Sequence, residues 1–323
     1  MDKITIYQFT DPVCVWCWGN EPVMRAIDYL YGNNVGIEFI MGGLVEEIST
    51  LYDLQGPKSA VIERANKIMA ENWLKASERH GMPVRVDRMA LFSERYPSSF
   101  PQNIAYEASR RIDPEKAKVL LRRIREATFT EQRRTSQMDV LIELAVECGL
   151  DAAEFIDEYT AGGAQSDFMQ SRMRCRRNGV TGFPSYMIRN ENTKITLGGY
   201  QNLSTFHTTI ARLSQGRIKP RRVGPSLASI TEFIKRYGTV YPVEIEVAFA
   251  LDRNKTDLMI AELVRSGKIA AATIGNGQRL SFVGRREGVR QVRRQRSAQQ
   301  VEGKPQPMAE KSGQRTKREK IGS

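Results

Sequence analysis

Apolar and polar residues along the chain recur with two periods, near 2 and near 3.6, in blocks that mark its organisation. KITIYQFT, residues 3–10, alternates the two classes with β-branched content and predicts a strand. EPVMRAIDYL, residues 21–30, sets Val23, Ile27 and Leu30 on one helical stripe, with Pro22 tolerated in an early turn. VGIEFIMGG, residues 35–43, predicts a second strand ending in a glycine pair. Strand, helix and strand in so short a stretch make a βαβ unit with a right-handed crossover.

From about residue 49 to 165 the period is helical throughout. Asp113-Pro114-Glu115 supplies an N-cap, a proline at the first helical position and an acid in the first turn. Asp151 and Glu154 have capping-box spacing, and Gly149 stops the helix MDVLIELAVEC. SYMIRN (185–190) and KITLGG (194–199), joined by Glu191-Asn192-Thr193, then read as a β-hairpin. LSTFHTTIARL follows as an amphipathic helix with Phe206, Ile210 and Leu213 aligned. The expected fold is α/β, with two β-containing halves flanking a helical insertion over about 49–165.

IKPRRVGP, residues 218–225, reads as a basic linker. Beyond it, SLASITEFIKRYG, PVEIEVAFAL and NKTDLMIAELVRSGK are helical patterns, and IAAATIGNGQRLSFVG folds back around Gly275-Asn276-Gly277. That layout, over 226–283, predicts a separate winged-helix-like domain. Residues 284–323 hold no aromatic side chain and no leucine, so they are expected to form a disordered basic tail.

Composition adds two constraints. A chain of 323 residues buries enough surface to fold without disulfide staples, and four cysteines are too few for a secreted disulfide framework. The net charge is +12, yet the last forty residues carry twelve basic and four acidic side chains, so eight of the twelve surplus charges lie there. The stretch before the first cysteine has no basic and apolar leader pattern, and no run approaches the ~20 apolar residues of a membrane helix, which predicts a cytoplasmic chain with no membrane partner.

The chemistry concentrates in Cys14-Val15-Trp16-Cys17, at the passage from first strand to first helix. A thiol at a helix N-terminus meets unsatisfied N–H groups and the positive end of the dipole, which lowers its pKa. Cys14 is therefore the expected nucleophile, and Cys17, one turn on, the resolving thiol. Zinc needs two further ligands at suitable spacing, and Cys148, Cys175, His80 and His207 form no second pair, so neither a metal nor an organic cofactor is expected. Cys148 and Cys175 read as inert small hydrophobes. Asp11 reads as a cap of the Pro12 turn, with a proton-accepting role as the alternative. Trp16 and Trp18 are candidates for an apolar client-docking surface, and helical geometry turns Trp16 outward and Trp18 inward.

A second motif, GVTGFPSYMI at 179–188, carries a family resemblance. Taken with the C-x-x-C pair and the helical insertion, it makes residues 1–217 similar to the DsbA-like family of the thioredoxin superfamily. The resemblance implies a cis proline at Pro184 packed against the disulfide. It also implies that the backbone of Phe183 pairs with an extended client, with Thr181 in the same loop. The chain departs from strongly oxidising members in having Val15-Trp16 without a histidine, which implies a weaker oxidant. Phe183 is also bulkier than the residue common at its place, which implies a narrower or more apolar groove.

These features predict a thiol–disulfide oxidoreductase acting on client proteins, by reduction or isomerisation in a reducing compartment. A rival reading comes from domain order: the architecture is similar to the adaptor family that delivers the Spx regulator to the ClpXP protease, in which a regulatory protein is the partner and the cysteines act as a sensor. Sequence-specific DNA binding is disfavoured, because the third C-terminal helix mixes Arg253, Asn254, Lys255, Asp257, Glu262 and Arg265. Docking of this domain onto a partner or onto the chain's own first domain is the preferred alternative. The tail cluster Arg285, Arg286 and Arg290–Arg296 either adds salt-dependent, sequence-independent nucleic-acid affinity or simply stays solvated.

Overall fold

The computed structural model describes residues 3–283, and the expected disordered tail, 284–323, lies outside the described residues. Strand β1 (Ile4–Thr10) runs through the Pro12 turn into helices α1 (Val15–Gly19) and α2 (Glu21–Tyr31), and β2 (Val35–Met41) returns parallel to β1. Helices α3 (Ile48–Leu51), α4 (Lys58–His80), α5 (Phe100–Ile112), α6 (Pro114–Phe129), α7 (Met138–Glu147), α8 (Ala152–Thr160) and α9 (Gly163–Arg177) follow. Strands β3 (Ser185–Arg189) and β4 (Lys194–Gly198) complete a sheet of order β2-β1-β3-β4, with α10 (Leu203–Leu213) behind it.

The register explains the core. Ile6 stands between Ile37 and Ile188, and Gln8 opposite Tyr186. Successive side chains alternate between faces, so Ile4, Ile6, Tyr186 and Ile188 pack with Val23, Ile27, Phe206 and Ile210. Phe9, Ile40 and Met187 pack on the opposite face with Cys175 of α9.

The caps read from the sequence are made. Asp113 accepts from the N–H groups of Glu115 and Lys116, Asp151 from those of Ala153 and Glu154, and Gly149 takes a positive φ of 80° after α7. The helical block, however, extends to Arg177 rather than 165. Helix α9 was hidden because its buried positions, Ala164, Phe168, Ser171 and Cys175, are thin and interleaved with Arg172, Arg174, Arg176 and Arg177.

The C-terminal part contains α11 (Leu227–Tyr237), β5 (Thr239–Val240), α12 (Pro242–Phe249), α13 (Arg253–Arg265), β6 (Ile269–Ile274) and β7 (Gly277–Phe282), with sheet order β5-β7-β6. It is not packed as a separate body. Ile230, Phe233, Ile234 and Leu280 share one continuous core with Val23, Ile27 and Leu30, and the Tyr29 and Phe233 rings meet edge to face at 5.1 Å. The reason lies in α2, which buries Met24, Ala26, Tyr29 and Tyr31 in addition to its expected stripe and so needs cover on two sides. Even the linker is fastened, since Arg221 N–H donates to the Leu30 carbonyl at 2.8 Å. Among the described residues no helix is long and apolar enough to cross a membrane.

Candidate active site

The site begins where β1 ends. Asp11 is fully buried, and its carboxylate accepts from Val13 N (2.8 Å), Leu44 N (2.7 Å), Ser99 Oγ (3.0 Å) and Asn103 Nδ2 (2.8 Å). It thereby fastens the Pro12 turn to the segment after β2 and to α5. Burial raises its pKa, and the four donors pull it back. It caps the Pro12 turn through the Val13 N–H.

Cys14 is the N-cap of α1, and its Sγ accepts the Cys17 N–H at 3.2 Å. The Phe183–Pro184 peptide is cis, and its Phe183 carbonyl accepts from the Cys14 thiol at 3.5 Å. The Phe183 ring lies against Gly42, where any Cβ would overlap it, so the absence of a side chain at Gly42 gives the ring its seat. The Cys14 residue keeps 3% of its surface exposed and Cys17 none. All four cysteines are free thiols.

The charge distribution corrects one expectation. Cys14 was expected to have a lowered pKa; instead burial, followed by its hydrogen bond to Cys17 and the charge on that neighbour, pushes it well above the usual thiol range. Cys17 moves the other way. Burial opposes its ionisation, but the hydrogen bond from Cys14, the Arg125 guanidinium and Thr10 outweigh it and bring its pKa down. The helix N-terminus does act on Cys14, through the Cys17 N–H, but it is weaker than desolvation beside a second sulfur. Of the two neighbouring sulfurs, Cys17 is therefore the one whose ionisation is favoured.

The two tryptophans separate. Trp16 is half-buried, its ring 5.9 Å from His80 and 6.1 Å from Tyr200. Trp18, expected among the client-docking residues, is fully buried and cannot serve there. It stacks on Phe129 at 5.5 Å, meets Tyr241 edge-on at 5.3 Å, and its indole N–H donates to the Pro83 carbonyl at 2.9 Å. Thr181 is exposed on the rim of a groove of about 260 Å³ that it shares with Gly42, Leu44, Arg172 and Phe183. Cys175 floors that groove, and burial pushes its thiol up to about 11, as it does for Cys148. Among the described residues no cluster of three or more His, Cys, Asp or Glu side chains is placed to hold a metal.

Sequence reasoning missed the polar groups beneath the pair. Arg125, fully buried, donates to Thr10 Oγ1 and to Glu21. Gln8 and the Tyr186 hydroxyl are buried beside it without partners among the described residues. One signal was readable: Arg125 follows Leu121 by four and Ile124 by one, so a cation stands in the apolar stripe of α6. His80 lies under α1, with its ring where a Cβ on Gly19 would be.

Comparison with known proteins bears on the fold and the family. The family model Thioredoxin_5, described as thioredoxin, matches residues 7–208. The chain is similar to the ClpXP adapter protein SpxH of Halalkalibacterium halodurans, with 27% identity over 272 residues, covering 82% of this chain and 84% of that one. It is also similar to the ClpXP adapter protein SpxH of Bacillus subtilis, with 21% identity over 279 residues, covering 85% and 87%. Among solved structures, a putative protein disulfide isomerase from Nitrosomonas europaea superposes with a TM-score of 0.56 at 20% identity, covering 67% of this chain and 99% of that one.

Proposed function

The chain belongs to the Thioredoxin_5 family, described as thioredoxin, and from that premise we propose that it is a thiol–disulfide oxidoreductase of client proteins. One observation carries this reading: the Cys14 sulfur sits at a helix N-cap, receives the Cys17 N–H at 3.2 Å, and faces the carbonyl of the cis Phe183–Pro184 peptide at 3.5 Å. When the pair's proton sits on Cys17, the outward Cys14 thiolate attacks a client disulfide. A Cys14–client bond forms, the client S–S bond breaks, and the departing client sulfur takes up a proton. Cys17 then gives up its proton and attacks the Cys14 sulfur, closing the Cys14–Cys17 disulfide and releasing the second client thiol. Two electrons and the Cys17 proton pass from this chain to the client, and solvent supplies the second proton. No metal or organic cofactor takes part.

Trp16, Phe183 and Thr181 form the client-contacting edge in this proposal, and Pro184 shapes it. The chemistry is assigned to the cytoplasm, where a reducing thiol pool regenerates the dithiol and favours reduction or isomerisation. Residues 226–283 are read as a winged-helix-like domain, on the strength of three helices and the sheet order β5-β7-β6. DNA recognition is not assigned to it. On α13, Arg253 pairs with Glu246 and Asp257, Lys255 with Asp252, and Arg265 with Glu262, so its cations are engaged.

A second reading is an adapter that hands a regulatory protein to the ClpXP protease. What favours it is coverage: the two SpxH relatives align over 82% and 85% of this chain, well beyond the thioredoxin part. Cys14→Ser separates the two. An oxidoreductase loses turnover of a peptide disulfide with that variant, whereas an adapter keeps accelerating ClpXP degradation of its client. Wild-type protein that turns over no peptide disulfide yet accelerates degradation overturns the enzymatic reading.

A further inference from the structure

A buried chain of charges runs from the cysteine pair into the C-terminal part. Arg125 of α6 donates to Thr10 and to one oxygen of Glu21; Arg122, one turn earlier, reaches the other oxygen of Glu21 at 3.2 Å. Arg122 also holds Glu126 at 2.8 Å and both oxygens of Glu244 of α12, at 3.0 and 3.3 Å. Arg25 closes the far end on Glu244 at 3.0 Å. These three arginines and three glutamates are at most 11% exposed, so the cluster is close to neutral and its charges are screened little by water.

Two features tie this cluster to the sulfurs. Arg125 holds the Thr10 hydroxyl, and Thr10 and the Arg125 charge both favour ionisation of Cys17. Arg125 Nε has no acceptor among the described residues, so one fully buried donor of this cation is unspent. The remaining ionisable groups around the pair are Asp11, His80 and Tyr186, and none of their hydrogen bonds reaches α12.

We propose that Arg125 is a positioning residue for the Cys14–Cys17 pair, and that Glu244 of the C-terminal part reaches the pair electrostatically through Arg122, Glu21 and Arg125, so that the seat of α12 tunes the pair. A dithiol that has lost one proton adds a negative charge to the neutral cluster, and a disulfide adds none. Glu244 therefore disfavours the thiolate. By reciprocity, closing the disulfide tightens the seat of α12, and a partner that lifts α12 favours the thiolate. The inference deepens the proposed function by naming a regulation of its site, and it takes from that reading only that Cys14 and Cys17 form one redox pair.

The test is the pH profile of Cys14 alkylation by iodoacetamide in the full chain, read by mass spectrometry. Glu244→Gln is expected to move the midpoint down by about half to one pH unit, and Arg125→Gln to move it up, the order expected for one unit charge changed nearby in a medium of effective dielectric about 20. Arg123→Gln, on the same helix but bonded to Glu131 and Glu147, is expected to superimpose on wild type. A folded Glu244→Gln chain with an unshifted profile overturns the proposal. Should that variant not fold, hydrogen exchange of the α12 amides in wild type decides: several-fold slower exchange in the disulfide form supports the coupling, and equal rates in both forms overturn it. Alkylation needs no client, so a chain inert toward peptide disulfides that still shows these shifts sinks the proposed activity and keeps this inference.

Discussion

Arg122 of α6 grips both carboxylate oxygens of Glu244 of α12, at 3.0 and 3.3 Å, while its guanidinium lies 4.7 Å from the ring of Trp18. The insertion, the first helix and the C-terminal part thus meet at one side chain. The apolar core crosses the same boundary, through Tyr29 and Phe233.

Cooperative unfolding follows from that continuity. All three tryptophans, Trp16, Trp18 and Trp73, belong to the first part, with Trp18 touching Tyr241 of the C-terminal part, so their fluorescence reports chiefly on the first part. Phe233→Ala removes a fully buried ring from the C-terminal part and is expected to cost about 3–5 kcal/mol. In urea the tryptophan midpoint should fall with it. A midpoint left at the wild-type value means that the two parts unfold separately.

Gly42 and Phe183 give a second expectation. A methyl group at residue 42 overlaps the Phe183 ring, so Gly42→Ala must displace the loop that faces Cys14. The expected loss is about 1–3 kcal/mol of stability, with exchange of a peptide disulfide slowed about tenfold or more because the reacting groups are misplaced. Stopped-flow exchange beside thermal melts checks both, and unchanged kinetics contradict the role given to the loop.

His80 sets an acid limit. Burial lowers its pKa from 6.5 to about 4, and its Nε2 has no partner among the described residues. The unfolded chain therefore takes up this proton at a higher pH than the folded one. The stability contribution is complete above about pH 6.5 and drains as the pH falls toward 4, by on the order of 3 kcal/mol. His80→Gln, which keeps an acceptor for the Met82 N–H, should flatten that limb in denaturant titrations at pH 7, 5.5 and 4. An equal acid loss in the variant assigns the effect elsewhere.

Much of this was legible from residue order. The strand 3–10, the helix 203–213 and the C-x-x-C turn have local causes, in alternation, in a 3.6 period and in a proline turn. The cis proline beside Cys14 was legible only through family resemblance. What stayed hidden depends on distance along the chain. Arg125 meets Glu21 and Thr10 across 104 and 115 residues, and no local pattern pairs them. The two-residue strand β5 is too short to show a period. The fusion of the C-terminal part to α2 was hidden because a helix apolar on two sides announces that it is covered, not by what.

Every step of the proposed exchange passes through Cys14, the residue of the pair with the remaining exposure, and trapping tests this most directly. Cys17→Ser mixed with a disulfide-bonded peptide at neutral pH is expected to accumulate a covalent adduct on Cys14 that dithiothreitol releases, while Cys14→Ser accumulates none. An adduct formed equally well by Cys14→Ser, or none formed by Cys17→Ser, contradicts the account.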